Sequence, residues 1–373
     1  MYRIGFDAKR LFNNTTGLGN YSRTLVNNLA YYYPDNAYFL YSPKVQKNED
    51  TQEFINSPSY SVYVPKGLSK AGWRFYRVRQ QLKQHKLDLY HGLSNEIPIG
   101  LDHYPIRKVV SVHDLIYKHF PKQYSAYDRQ VYNFKTKYAC EHTDQVIAIS
   151  ESTKKDIVDF YQIPEEKIKV VYQSCSEHFF QDKSTALIEK VSHRYQLPQE
   201  YMLYVGSITE RKNLLGILKA MTMLPKAMEV PLVVIGGGRA YKEEVLTFIA
   251  QNKLTKYIHF ISPKNEDLPF IYQKASVFVY PSFYEGFGIP IIEALFSKTP
   301  VITSDCSSLP EAAGPDSWLV DPYQPEAIAD AIDKVLENSA LQEKMIERGY
   351  DYAQQFRGEP LTQQLVKVYE GIL

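Results

Sequence analysis

The stretch Glu285-Gly-Phe-Gly-Ile-Pro-Ile-Ile-Glu293 sets two carboxylates around a glycine turn and a proline. Just upstream, Ala275-Ser-Val-Phe-Val-Tyr280 is a short apolar run rich in β-branched and aromatic residues, the pattern of a buried strand. Pro290 suits a helix start, because its missing N–H would be unpaired there anyway. Glu285 therefore falls on the loop and Glu293 one turn into the helix. In open α/β sheets ligands bind outside the carboxyl ends of the strands, so both carboxylates are expected at such a crevice. Carboxylates accept paired hydrogen bonds from the vicinal hydroxyls of a ribose or hexose. Gly286 and Gly288, on either side of Phe287, would let bare backbone approach a hydroxylated ligand.

Similar strand patterns recur on both sides of this stretch. In the first half they fall at Tyr2–Phe6, Leu87–Tyr90, Lys108–Val112, Gln145–Ile149 and Lys169–Tyr172. A second series runs through Tyr201–Val205, Leu232–Ile235, Ile258–Phe260, Val277–Tyr280 and Pro300–Thr303. Helical or loop segments separate the strands, which is the alternating order of parallel α/β sheets. A chain of 373 residues exceeds what one core usually organises, and a 44% hydrophobic content supplies two. The reading is two Rossmann-like doubly wound domains, 1–182 and 183–358, with a last helical segment, 359–373. The polar stretch Ser174–Pro198 places the boundary near Asp182.

Three positions suggest chemistry. Arg211 and Lys212 stand between a strand and a helix beginning at Leu214, with Asn213 as its N-cap; two cations beside free helix N–H groups make an anion site. A solvated charged turn is the alternative for such a pair in isolation. His113 and Asp114 follow the strand Lys108–Val112 at its carboxyl end, where a lone histidine is more often structural than catalytic. Gly17-Leu-Gly-Asn20 precedes a helix around Tyr21–Leu29, and Gly17 and Gly19 would permit close approach to a phosphate or acceptor, or else form an ordinary turn. Asp7 is equally an acceptor contact or a strand-end cap. Gly236-Gly-Gly238 invites a dinucleotide reading, but Tyr241 replaces the third glycine of that fingerprint, which argues against NAD.

Taken together, Gly17-Leu-Gly-Asn-Tyr21, Ser111-Val-His-Asp114, Val205-Gly-Ser-Ile-Thr-Glu-Arg-Lys-Asn213, the Glu285–Glu293 pair and Ser307-Ser-Leu-Pro-Glu311 resemble, in order and spacing, the GT-B-fold glycosyltransferases of family 4. The similarity is greatest to bacterial mannosyltransferases of polysaccharide assembly, of the O-antigen or capsule type. The resemblance implies an active site in the cleft between the two domains and a last helix that crosses back to the first. It implies transfer of a hexose, with retention, from a nucleotide sugar (GDP-mannose preferred, another GDP-sugar or a UDP-sugar otherwise) to a saccharide hydroxyl. Arg211 and Lys212 would bind the donor diphosphate, Glu285 with Gly286, Phe287 and Gly288 the sugar, Glu293 the ribose and Ser262 the base. His113 would be a positioning residue rather than a general base. Many relatives carry an arginine where Ser207 stands, so Arg211 would supply the missing charge here. No Asp-x-Asp pair is found, and the resemblance implies metal-independent work.

Pro65–Lys86 contains seven Lys or Arg and no Asp or Glu, interleaved with Trp73, Phe75 and Tyr76. Such a segment fits an anionic bilayer surface, or a solvated helix lining the cleft. His91 and Asn95 lie just beyond it and are expected near the acceptor, a lipid-linked saccharide in this reading. A formal net charge of +1 argues against nucleic acid as a partner. Three unpaired cysteines, no signal-peptide pattern and no long apolar span fit a cytoplasmic protein, with the inner face of the cell membrane as its station. Two other classes keep the same crevice: a nucleotide-sugar 2-epimerase, and a protein that binds nucleotide sugar without turnover.

Overall fold

The computed structural model describes residues 1–65, 72–182, 184–225, 230–238 and 240–373. The first sheet holds seven strands: β1 (Arg3–Asp7), β2 (Ala37–Tyr41), β3 (Tyr60–Tyr63), β4 (Leu89–Gly92), β5 (Arg107–Val112), β6 (Gln145–Ala148) and β7 (Ile168–Val170). Their order is β3-β2-β1-β4-β5-β6-β7, and the neighbouring pairs run parallel. The second sheet holds β8 (Met202–Val205), β9 (Leu232–Ile235), β10 (Ile258–Ile261), β11 (Val277–Tyr280), β12 (Val301–Ser304) and β13 (Trp318–Val320), in the order β10-β9-β8-β11-β12-β13, again parallel. Helices cover both faces, so central strands such as Leu232-Val-Val-Ile235 and Val277-Phe-Val-Tyr280 are buried throughout their length.

These are doubly wound sheets of the GT-B kind. The strand order reverses between β1 and β4 in the first sheet and between β8 and β11 in the second, and such switch points open a crevice at the carboxyl ends of the strands. Three strands were absent from the sequence expectation. Ala37-Tyr-Phe-Leu-Tyr41 has no β-branched residue, β13 is three residues long, and β3 is a half-buried edge strand.

The chain forms two compact units, Met1–Cys175 with Phe356–Leu373, and Ser176–Gln355. The first divide lies ahead of the expected Asp182, because the intervening segment packs within the second unit: Phe179 meets Tyr272 edge-on at 5.7 Å, and Lys298 Nζ reaches Asp182 Oδ1 at 2.8 Å. The return lies ahead of residue 359, with the Phe356 ring edge-on to Tyr172 at 5.4 Å. Beyond it, the helix Gly358–Glu370 rests on the helix Gly17–Tyr32, burying Leu361, Leu365, Val366 and Tyr369.

Of the basic segment Pro65–Lys86, residues 66–71 lie outside the described residues. Trp73 and Arg74 turn inward, with Val78 and Leu82, which corrects part of the bilayer expectation. Trp73 is buried, and Arg74 pairs with Asp7 and, at 2.8 Å, with Glu96. Asp7 is thus the partner of a buried guanidinium. Tyr76, Arg77, Lys83 and Lys86 remain exposed. Among the described residues, no helix is long and apolar enough to cross a membrane.

Candidate functional site

Past β8, a tight turn over Glu210–Lys212 leads into the helix Leu214–Met221. Asn213 joins them in the left-handed conformation, φ 53°, a region Asn tolerates. Its side chain works in two directions. Oδ1 accepts the Gly216 N–H at 3.1 Å as a helix cap, while Nδ2 donates to the carbonyls of Pro281 at 3.0 Å and Pro322 at 2.8 Å. Phe283 N–H donates to the Arg211 carbonyl at 2.9 Å. The turn after β8 is therefore tied to the loop after β11, on the two sides of the switch point.

The tie brings Arg211, Lys212 and Glu285 together. Lys212 Nζ lies 2.8 Å from Glu285 Oε1 and Arg211 Nη1 2.8 Å from Oε2. Tyr280 and Ser282 hydroxyls each donate to Oε1 at 3.0 Å. Lys212 also donates to the Tyr280 hydroxyl, and Arg211 to the Tyr284 carbonyl. Burial alone would push the Glu285 carboxyl up, but Lys212 and Arg211 outweigh it and hold the group down to about 2. Two cations thus share one ionised carboxylate.

The loop is stitched from the far side by two serines of the Ser307–Glu311 motif. Ser307 Oγ accepts the Glu285 N–H at 3.1 Å, and Ser308 Oγ donates toward the carbonyls of Glu285 and Phe287 at 2.8 and 2.9 Å. Gly286 and Phe287 are buried in this loop. Gly288 sits at φ 125°, open to glycine alone, and a Cβ there would meet Ile291 and Leu309 at 3.2 and 3.3 Å. Its freedom serves the turn into the helix Ile289–Phe296, and the direction a side chain would take is filled by protein.

Glu293 stands one turn along that helix and accepts a hydrogen bond from the Tyr272 hydroxyl at 3.0 Å. Burial pushes its carboxyl up to about 7, and the tyrosine only partly offsets this. Ser262 is exposed just past β10, the edge strand, and lies apart from the Arg211–Glu285 cluster. Tyr272, Tyr280 and Ser282 complete the set around the two carboxylates. As residues on a helix and at a strand end, the tyrosines read as core, and the polar Tyr280-Pro-Ser282 ending of β11 was the signal available.

In the first unit, His113 follows β5 and is buried. Its Nε2 donates to the Leu93 carbonyl at 2.8 Å, and its Nδ1 lies 3.2 Å from the Gln173 amide nitrogen. Burial lowers its pKa to about 4, so the ring is neutral. Asp114 caps the following loop, its Oδ1 accepting the Ile116 N–H at 3.1 Å. The helix Gly17–Tyr32 begins at the glycines themselves. A Cβ on Gly19 would collide with the Asn14 carbonyl at 1.8 Å, so that glycine admits the protein's own chain, whereas the Cβ position at Gly17 is open. His91 is corrected. Fully buried, it bridges Ser111 Oγ at 2.8 Å and the Tyr369 hydroxyl at 2.7 Å and has no surface for an acceptor. Among the described residues, no cluster of three or more His, Cys, Asp or Glu could hold a metal ion.

Comparison with known proteins places this arrangement. Residues 15–174 match the model of Glycosyltransferase Family 4, and residues 188–352 that of Glycosyl transferases group 1. The chain is 30% identical to the O-antigen chain mannosyltransferase B of Escherichia coli, over 99% of both chains. It is 28% identical to the serotype-specific mannosyltransferase WbdA of Escherichia coli over 67% of this chain, but spans only 32% of that relative. The crystal structure of Anabaena HepE in complex with UDP and glucose superposes with a TM-score of 0.79, at 16% identity, over 99% of both chains. Two doubly wound units, two matching family models and an end-to-end relative agree: the chain belongs to the group 1/family 4 glycosyltransferases and is a transferase enzyme.

Proposed function

We propose that the enzyme transfers mannose from GDP-mannose, with retention of anomeric configuration, to a hydroxyl of a lipid-linked saccharide during assembly of a cell-surface polysaccharide. The observation that carries this reading is the convergence of Arg211 and Lys212 on Glu285 at the switch point of the second sheet. A nucleoside diphosphate is already a competent leaving group, so the enzyme chiefly has to position the reactants and stabilise charge on the departing phosphate. Arg211 and Lys212 supply that charge, which is why we assign no metal to the reaction. Glu285, held by Tyr280 and Ser282, takes hydroxyls of the donor sugar once the cations turn to the diphosphate. Glu293 takes the ribose hydroxyls, Ser262 lies toward the base, and His113 shapes the sugar's surroundings. The choice of mannose rests on the end-to-end relative, named for O-antigen mannosyl transfer; a UDP-sugar is the second candidate. Exposed Tyr76, Arg77, Lys83 and Lys86 suit contact with an anionic membrane surface at its inner face, where the lipid-linked acceptor would be met.

The test is a thermal-shift panel of GDP, UDP, ADP and their sugar conjugates on wild type and Lys212→Ala, followed by product analysis with saccharide acceptors in EDTA. Selective stabilisation by GDP-mannose, lost in the variant, with an α-mannoside formed in EDTA, is expected. Stabilisation by a UDP-sugar alone would replace the donor. A nucleotide-sugar isomer or free sugar formed without acceptor would replace transfer by epimerisation, and no stabilisation by any conjugate would overturn the donor site.

A further inference from the structure

His113 leaves no ring nitrogen for chemistry. A carbonyl only accepts, so the 2.8 Å contact with Leu93 places the ring proton on Nε2, and Nδ1 must then be an acceptor. The group facing Nδ1, at 3.2 Å, is the side-chain amide of Gln173, which meets it with its N–H; the flipped amide would set two acceptors against each other. Gln173 is itself buried and comes from another segment, just past β7. The Tyr21 ring stands edge-on to the imidazole, centroids 4.5 Å apart and planes at 88°. From Tyr21 the polar contacts run inward, through Ser111 Oγ at 2.6 Å and His91 at 2.8 Å to Tyr369 on the helix Gly358–Glu370 at 2.7 Å. The main chain is fixed as well, with His113 N–H donating to Asn95 Oδ1 at 2.9 Å and its carbonyl accepting from Thr153 Oγ1 at 3.3 Å.

A neutral imidazole bonded at both nitrogens moves no proton. It presents a ring edge, a ring face and a backbone, and its contribution to transfer is the position in which these are held. We propose that Gln173 is a positioning residue for the transfer reaction: its amide donates to Nδ1 and, with the Leu93 carbonyl on Nε2, holds the His113 ring neutral and in one orientation. The proposal rests on the reading of His113 as a neighbour of the donor sugar. It goes beyond the motifs, because Gln173 lies in none of them and sixty positions along the chain from its partner.

Gln173→Glu is the sharpest test, because it keeps the shape but replaces a donor with an acceptor. Gln173→Met keeps length and burial and removes the bond, and serves if the buried carboxylate prevents folding. Ring nitrogen-15 spectra of His113, assigned with His113→Asn, are recorded from pH 5 to 8 beside steady-state transfer kinetics. The other charged or titratable groups acting on this ring are Arg10 and His91, which are unchanged in both variants. The wild-type ring should remain the neutral Nε2–H form throughout. In Gln173→Glu it should take a second proton on Nδ1 and appear as imidazolium near neutral pH, with kcat lowered about tenfold or more and donor KM changed about threefold or less. In Gln173→Met the ring should keep its Nε2 proton on the Leu93 carbonyl but lose the bond at Nδ1, seen as a shifted Nδ1 resonance, with a similar kcat defect. Ring spectra identical to wild type in both variants would overturn the proposal and leave the role of His113 standing, as would altered spectra with kcat within about twofold of wild type. Full transfer activity in His113→Asn would remove His113 from the site, and this proposal with it.

Discussion

Glu285 and Glu293 share a loop-helix segment, and their surroundings drive them in opposite directions. Lys212 and Arg211 hold Glu285 down to about 2, while burial with a single tyrosine donor lifts Glu293 to about 7. For Glu285, a folded-state pKa below the ordinary 4.5 means stability that is present above pH 4.5 and lost as pH falls toward 2. For Glu293 the sign reverses: stability is full below pH 4.5 and is lost as pH rises through 7. Glu293→Gln should therefore be more stable than wild type at pH 8, on the order of 2 kcal/mol, with the difference vanishing near pH 4.5, as read by urea denaturation. In the proposed role of Glu293, ribose hydroxyls donate to the charged carboxylate, so nucleotide affinity should fall about five- to tenfold from pH 8 to pH 6 in calorimetric titrations and stay flat in Glu293→Gln. Glu285→Ala releases two cations from their shared carboxylate. We expect free nucleotide to bind that variant at least as tightly as wild type while sugar transfer drops by about a hundredfold or more. Weaker nucleotide binding would show that Glu285 supports the diphosphate rather than the sugar.

At the scale of elements, the site is a set of strand ends held in register by small polar ties. Asn213→Ala removes a helix cap and leaves the buried carbonyls of Pro281 and Pro322 without their donor, which should destabilise the protein by about 3 kcal/mol, measured by denaturant unfolding. Asn213→Gly retains access to the left-handed backbone, so any difference from alanine isolates the conformational part. The same scale explains what the sequence made legible. Val277–Tyr280 and Leu232–Ile235 announce themselves, because buried parallel strands need continuous apolar runs, and the Asn213 cap follows from residue type at a helix start. Ala37–Tyr41 escapes, because a short apolar run without a β-branched residue cannot be told from a buried helix segment by periodicity. Tyr272, Tyr280 and Gln173 escape for a different reason: their hydroxyls and amide find partners that only the folded chain brings near, and period-based reading cannot distinguish a tyrosine that fills a core from one that also holds a carboxylate. Gly19 and Gly288 were found by residue type, but the space they leave is taken by protein.

Over the whole molecule, the first unit is made of two pieces of chain, Met1–Cys175 and Phe356–Leu373, with the second unit inserted between them. The joining helix contributes Tyr369, whose hydroxyl satisfies the buried His91, a group that burial lowers to about 3 and keeps neutral. Tyr369→Phe should cost about 1–3 kcal/mol by leaving that nitrogen unpaired. The loss should appear in the first unit, as faster hydrogen exchange in β4 and β5 with β8 and β11 unaffected. During synthesis the order of completion is thereby inverted. The second unit is contiguous and has all its residues before the first does, although its strands are made later. The first must wait with His91 and the flank of the Gly17–Tyr32 helix uncovered until residues 356–370 have left the ribosome, a delay on the order of ten seconds at ordinary elongation rates. A nascent chain of this enzyme therefore exposes a hydrophobic seam shaped for its own last helix, and a chaperone or a premature stop would act first at that seam.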